Sequence, residues 1–383
     1  MLFRSDLDTP IRRYLPSLRL QDQQATDRAT LRHLFTHTGG WVGDYFEDTG
    51  RGEDALARYV VNMADLPQLT PLGQFWSYNN ASFSLAGHVI EVVTGQPFEV
   101  VAKDLLFAPL GMSMSFFFPD DLMTHRFVVG HTITPEAITV ATPWPLARSA
   151  HAAGGVTATV RDMLCYARFH LQQGKTDRGE PFLQPATIAA MQVEQAKAGS
   201  LADAVGLSWM LSEIQGVRIV SHGGATNGQI AQLVLVPSRN FALVILTNAN
   251  RGREVNRDLT NWALTHYLHL QQTPPQIQQL SADALQPYVG YYTAHLSDVE
   301  VRSEGGGLVL QVIPKGGFPV KHSPAGPKPP PAPAAFFDQD RVVVTDGPSR
   351  EAKCEFIRDE QGEITWFRVG GRIHRRTSID TGQ

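Results

Sequence analysis

The feature that most constrains the fold of this 383-residue chain is a change in hydrophobic periodicity near residue 206. Before that point, apolar residues recur at helical spacing, as they do over 83–93, a run that ends at Gly95. After it, short β-branched runs alternate with turn residues, and a helical stretch at 253–269 follows them. Helices first, then an antiparallel meander and a closing helix, predict an α+β fold with helices packed on an antiparallel sheet.

The same patterns predict individual elements. Thr30 is a suitable N-cap for a short helix that ends before Gly39-Gly40, and Thr159 is a suitable N-cap for a second helix. Further helices are expected at 52–63, after Tyr78, and at 97–107. The strands of the meander are expected at 206–214, 217–222, 230–236 and 241–247.

A second change of pattern follows residue 271. Thr273-Pro274-Pro275 predicts a stiff linker, and every later run is β-like. We therefore expect a domain at 1–271, a linker at 272–282 and a small β-barrel or sandwich at 283–383. Its strands are expected at 290–293, 299–301, 308–313, 341–345, 354–358 and 364–368. The Pro- and Ala-rich stretch 323–335 predicts a polyproline-like loop.

Composition narrows the possible functions. Lys and Arg total 33 against 37 Asp and Glu, so the net charge of -4 argues against binding to nucleic acid. The two cysteines, Cys165 and Cys354, form no Cys-x-x-Cys pair, and we predict neither a metal nor a cofactor. We expect no membrane span and find no signal-peptide core at the N-terminus. Localisation and oligomeric state are left open.

Five stretches occur in the order found in one enzyme superfamily. They are Leu31–Gly40 (LRHLFTHTGG), Tyr78-Asn79-Asn80, Phe107–Met112 (FAPLGM), Gly154-Gly155-Val156 with Thr159 and Asp162, and His222-Gly223-Gly224. The chain thereby resembles the serine β-lactamases and penicillin-binding proteins, especially their class C-like esterase and peptidase branch. Gly39 stands where that family usually has Ser. The run Leu285–Tyr292 resembles the start of a lipocalin-like domain appended to some of these hydrolases.

The resemblance implies a reaction and assigns roles. The family cleaves amides or esters through an acyl-enzyme, so a small-molecule or peptide substrate is expected. Tyr78 would be the base or proton relay, and Asn80 would orient the lysine and the substrate amide. His222 would line the opposite wall with a hydrogen bond and partial positive charge. Gly224 and Ala225 would lie at the oxyanion side, where the N–H of Ala225 would form half of the hole.

The nucleophile motif of that family, Ser-x-x-Lys, is absent from the sequence. None of the seven lysines has Ser or Thr three residues before it. The resemblance implies that the chain starts after the helix that bears this motif. We therefore expect a neutral Tyr78, no activity as written, an uncovered apolar groove and an unpaired sheet edge. The alternative is a non-catalytic binding or scaffold protein that retains the cleft.

One further pair admits two interpretations. His33 and His37 are four residues apart, a spacing that brings ligands of one metal together on a helix. Leu34 stands where a His-Glu-x-x-His motif has Glu, so structural histidines are the favoured interpretation.

Overall fold

The computed structural model describes residues 6–144 and 146–377. The chain divides into two compact units, each of which is described by itself. The first contains residues 1–196, 204–272 and 319–321, and the second contains 197–203, 273–318 and 322–383.

Helices dominate the first half of the first unit. Its α-helices are α1 (Gln23–Arg28), α2 (Leu31–Phe35), α3 (Ala55–Asn62), α4 (Asn80–Thr94), α5 (Phe98–Ala102), α6 (Pro119–Leu122), α7 (His151–Gly154), α8 (Val160–Leu171), α9 (Pro185–Met191) and α10 (Gly252–Leu268). A π-helical turn, Lys103–Phe107, continues α5. None of the helices among the described residues is both long and apolar enough to cross a membrane.

The central helix of this unit is α4, and its ends have clear chemical causes. The side chain of Asn79 accepts a hydrogen bond from the N–H of Ser82 at 2.9 Å and so caps the first turn. Gly95 ends the helix in the left-handed conformation, with φ of 70°. The buried face, which includes Leu85 and Val89, joins a core that α2 and α3 share. Each such aliphatic side chain contributes roughly 2 kcal/mol to folding.

The sheet of this unit comes mainly from the second half of the chain. Within the described residues, six antiparallel strands follow in sequence order: β3 (Ala196–Lys197), β4 (Ala204–Val205), β5 (Met210–Ile214), β6 (Val217–Thr226), β7 (Gln229–Val236) and β8 (Phe241–Thr247). A separate hairpin consists of β1 (His131–Ile133) and β2 (Ile138–Val140). Helix α8 packs on β7 and β8, and so does α10.

Strand β8 forms one edge of the sheet and is apolar throughout. Its sequence, FALVILT, contains no charge or proline, and β7 is its only strand partner in the part of the chain that the structure describes. Edge strands usually carry charged residues or proline, whereas continuous apolar runs are typical of internal strands. The neighbouring helix α10 exposes Val255, Leu259 and Trp262, which lie at i, i+4 and i+7. Exposed apolar side chains on α10 are therefore found in the same unit as a strand edge with which no other described strand pairs.

The second unit is a closed antiparallel barrel. Among the described residues its strands are β9 (Gly290–Thr293), β10 (Ser297–Glu304), β11 (Gly307–Pro314), β12 (Ala332–Asp338), β13 (Arg341–Val344), β14 (Lys353–Arg358), β15 (Ile364–Val369) and β16 (Arg372–Thr377). Strand β16 pairs with β9 and closes the ring. Helix α11 (Ala282–Leu285) precedes it. Tyr292, Phe356 and Phe367 lie in its buried centre.

The predicted fold class, an α+β domain with an antiparallel sheet plus a small barrel, is confirmed. Some details were wrong. The predicted loop at 323–335 ends earlier, because 332–335 belong to β12, where Pro333 pairs with Val309. The predicted strand at 206–214 begins only at Met210. Sequence reasoning also missed β16, α9 and the β1–β2 hairpin.

Candidate active site

The site begins with Tyr78 and His222, which are 144 residues apart in sequence. Tyr78 lies two residues before α4, and His222 lies in the middle of β6. The Tyr78 Oη and His222 Nε2 atoms are 3.3 Å apart, and the two rings have centroids 6.0 Å apart. The fold therefore places the tyrosine and the histidine of the two motifs found in the sequence within hydrogen-bond distance of each other.

The two asparagines after Tyr78 have different tasks. Asn79, which is buried, caps α4 and also donates from Nδ2 to the Trp41 carbonyl at 2.9 Å. Asn80, the residue singled out from the sequence, begins the helix and donates from Nδ2 to Asp44 Oδ1 at 2.9 Å. The cap thus falls on Asn79, and Asn80 directs its amide toward a nearly buried carboxylate.

The segment 43–44 lies directly against this turn. A Cβ added at Gly43 would come within 2.5 Å of the Asn79 Cα and 2.7 Å of the Tyr78 carbonyl oxygen. The Gly43 carbonyl also accepts from the N–H of Ala81 at 2.9 Å. Glycine at 43 is therefore required for this close approach of two backbones, which also brings Asp44 to Asn80.

The surroundings of His222 disfavour a positive charge on its imidazole. Its burial lowers the imidazole pKa from the usual 6.5, and a hydrogen bond to the Gly223 backbone opposes that effect only in part. The partial positive charge expected from the sequence is therefore disfavoured, while the hydrogen-bond distance to Tyr78 is present. Which of the two groups donates, Tyr78 Oη or His222 Nε2, depends on the imidazole tautomer.

Strand β6 offers an open backbone edge beside His222. Its pairing with β5 ends at Ser221, opposite Met210, while its pairing with β7 continues to Thr226. Gly223, Gly224 and Ala225 are exposed. Among the described strands, none pairs with the second edge of this stretch, so its N–H and C=O groups can bind an extended ligand.

A buried ion cluster supports the same unit. Arg148 donates from Nε and Nη2 to the two oxygens of Glu99, each at 3.0 Å, and His151 Nδ1 lies 2.8 Å from Glu99 Oε1. Ser149, between them, donates to the Glu47 carbonyl and accepts from Ser84 of α4. The cluster therefore ties the segment before Gly154-Gly155 to α5 and α4.

Comparison with known proteins places the chain in a family. The model of the family described as Beta-lactamase matches residues 4–267. Penicillin-binding protein 4 of Amycolatopsis lactamdurans is 34% identical over 264 residues, which are 66% of this chain and 68% of that protein. The chain belongs to the β-lactamase family. This is a family of hydrolases that share one fold.

Solved structures agree on the fold of this β-lactamase-family chain. SurE has 24% identity and a TM-score of 0.73, over 97% of this chain and 82% of that one. A class C β-lactamase from Rhodobacter sphaeroides has 24% identity and a TM-score of 0.55, over 69% and 78% of the respective chains.

Sequence reasoning missed several residues around this β-lactamase-family site. Gly43 and Asp44 follow the quoted stretch Leu31–Gly40 by three and four residues but belong to none of the five stretches. The only signal in the sequence is a glycine next to an acidic residue. The histidine pair does not form a metal site: His33 Nδ1 lies 2.7 Å from Thr30 Oγ1 in the capping box of α2. Across residues 6–144 and 146–377, no group of three His, Cys, Asp or Glu side chains could hold a metal ion.

Proposed function

We propose that this protein supplies the cleft of a serine hydrolase that acts on amides or esters through an acyl-enzyme. The observation that supports the proposal is the 3.3 Å approach of Tyr78 Oη to His222 Nε2, beside the open edge of β6. A phenol, an imidazole and exposed backbone N–H groups together suit proton transfer and stabilisation of an oxyanion.

In this proposal Tyr78 moves the proton of the attacking serine. A tyrosine has an ordinary pKa near 10, so it needs a nearby ammonium before it can act as a base close to neutral pH. The sequence holds no Ser-x-x-Lys, the motif that provides both serine and ammonium in the resembling family. Hydrolysis therefore requires that this motif be supplied to the cleft.

Substrate binding would use Asn80 and β6. Asn80 Nδ2 donates to Asp44, and we propose that its Oδ1 accepts from a substrate amide. The edge of β6 would pair with an extended acyl donor, and the Ala225 N–H would contribute to the oxyanion hole. SurE has also been solved with D-Leu. We therefore propose acylated peptides that end in a D-residue as the first substrates to test, with β-lactams and small esters beside them.

The test adds the missing motif. A chimera with the Ser-x-x-Lys segment of a family member placed ahead of Asp6 should be labelled covalently by a fluorescent penicillin or a fluorophosphonate. The 383-residue chain alone should remain unlabelled. Changing Tyr78→Phe in the chimera should reduce the labelling rate by at least about 100-fold, which is the usual range for losing a general base.

Two results would contradict this function. One is a folded chimera that no probe acylates. The other is covalent labelling of a serine in the 383-residue chain itself, because that serine would be a nucleophile that the proposal does not contain.

The absence of Ser-x-x-Lys favours a second candidate, non-covalent binding in the same cleft. Binding of an acetylated D-alanyl-D-alanine peptide to the 383-residue chain, with loss of affinity on His222→Ala, would support a scaffold or binding protein. Such binding would be the strongest support for a scaffold or binding protein if the chimera also stayed inactive.

A further inference from the structure

His37 makes three contacts with the segment Ser77-Tyr78-Asn79. The imidazole stacks on the phenol ring with centroids 4.3 Å apart and planes inclined by 25°. The N–H of Ser77 donates to the His37 carbonyl at 3.0 Å, and the N–H of Asn79 donates to His37 Nδ1 at 3.0 Å. The residues on both sides of Tyr78 are therefore bonded to one residue, whose side chain also stacks on the Tyr78 ring.

The backbone of His37 has the geometry that normally selects glycine. Helix α2 ends in a Schellman motif, in which the N–H of His37 donates to the Leu34 carbonyl and the N–H of Thr38 donates to the His33 carbonyl. His37 occupies the left-handed position of this motif, with φ of 56°. Glycine is the favoured residue there, since it has no Cβ to strain. The chain instead has a buried histidine, so its side chain does what a glycine cannot.

The surroundings hold the imidazole in one orientation. Because Nδ1 accepts from the Asn79 N–H, the ring proton lies on Nε2 and the ring is neutral. Phe83 of α4 packs against the ring at 5.1 Å, and Trp76 meets it edge-on at 6.2 Å. The imidazole is thus wedged between α4 and the Tyr78 phenol.

We propose that His37 is a positioning residue that fixes the Tyr78 ring at hydrogen-bond distance from His222. The stack sets the plane of the phenol, and the two hydrogen bonds set the backbone on either side of it. The catalytic value of this arrangement rests on the proposed function, whereas the positioning itself can be measured without any reaction.

The experiment compares His37→Gly with His37→Asn in the 383-residue chain. NMR spectra with labelled tyrosine and histidine would record the cross-peak between the Tyr78 ring protons and His222 Hε1, assigned with Tyr78→Phe and His222→Gln. Glycine suits the left-handed backbone, which offsets part of the cost of the cavity that the imidazole leaves, so this variant should still fold. It should nevertheless lose the cross-peak. Asparagine also tolerates that backbone and can accept from the Asn79 N–H, but it has no ring to stack on the phenol, so His37→Asn should retain a weakened cross-peak.

A cross-peak of wild-type intensity in a folded His37→Gly protein would overturn the proposal, because the side chain would then contribute nothing to the placement of Tyr78. If the glycine variant does not fold, the asparagine variant decides. A cross-peak weaker than that of the wild type supports the proposal. A cross-peak of wild-type intensity in His37→Asn, or in His37→Leu, which has neither ring nor acceptor, would overturn it. These readouts do not depend on acylation of the chimera, so a failure of the proposed function would leave them unaltered.

Discussion

Glu99 is a carboxylate held among cationic and polar partners in the interior of the first unit. Burial alone would raise its pKa, but the hydrogen bonds from His151 and Arg148 outweigh that effect and lower the pKa to about 2. The folded state therefore prefers the ionised form more strongly than the unfolded chain does. Such a group stabilises the fold above its unfolded pKa of about 4.5, and this contribution is lost as the pH falls toward 2.

We expect Glu99→Gln to destabilise the first unit at pH 7 by on the order of 3 kcal/mol, because the Arg148 guanidinium loses its buried counter-ion. Urea unfolding at pH 7 and at pH 3 measures the effect, and the difference between the proteins should shrink at the lower pH. Asp177→Asn is a matched control, since it breaks the exposed pair with Arg168 and should change stability by less than about 1 kcal/mol. Equal losses of unfolding free energy in the two variants would show that the buried cluster stabilises the fold no more than an exposed ion pair does.

Residues of this kind also mark the limit of sequence reasoning. Tyr78 and His222 stand out because each lies in a short local motif. Glu99 and Arg148 are 49 residues apart, and Asp44 is 36 residues from Asn80, with no periodic pattern to connect them. Their pairing follows from the packing of α5 and α4, so only the folded structure reveals it.

At the scale of elements, the first half of β6 is paired on both edges, and its second half is paired on one edge. Residues 217–221 lie between two strands, whereas 222–226 pair only with β7 among the described strands. A methyl group at Gly224 would meet the Ala231 Cβ at 3.5 Å, an ordinary contact. The fold therefore does not require glycine at 224, and the space in front of this strand is available to a ligand.

Gly224→Ala should leave the unfolding free energy within about 0.5 kcal/mol of wild type, yet weaken binding of an acetylated D-alanyl-D-alanine peptide at least tenfold, since the methyl group fills part of the space in front of the strand. An NMR titration measures the affinity. Gly326→Ala is the control, because a Cβ there meets no described atom within 4 Å. Unchanged affinity in Gly224→Ala would place the peptide elsewhere.

Helices and strands were predicted correctly where the local residue pattern favours the same element that the fold contains. Strand β8 has the bounds expected from its β-branched run, and α8 starts at the expected Thr159 cap. Strand β12 was missed because proline is rare inside strands, so Pro333 argues against a strand in the sequence. The position of β12 in the barrel is set by its register with β11.

At the scale of the whole molecule, apolar side chains are exposed on both β8 and α10. Leu246 on the strand is 40% exposed, and Trp262 on the helix is 53% exposed. Water contacts with such a surface are unfavourable, and an open strand edge offers unpaired backbone groups to another chain.

We expect the 383-residue chain to self-associate, and Leu246→Lys combined with Leu259→Lys to raise the dissociation constant at least tenfold, or about 1.4 kcal/mol. Sedimentation over a range of concentrations measures it. Val61→Lys changes an exposed apolar residue on α3 and should have no effect. A chain that stays monomeric at high concentration would contradict the expectation.

The start of α4 has a consequence for how this protein can vary. Tyr78, the Asn79 cap and Asn80 occupy consecutive positions at the first turn, and each residue of a helix advances the side-chain direction by about 100°. Adding or deleting one residue between 78 and 82 would rotate the Asn80 amide away from Asp44 and detach the cap from its N–H. Length changes in homologous chains are therefore expected elsewhere, while this short stretch keeps its count of residues.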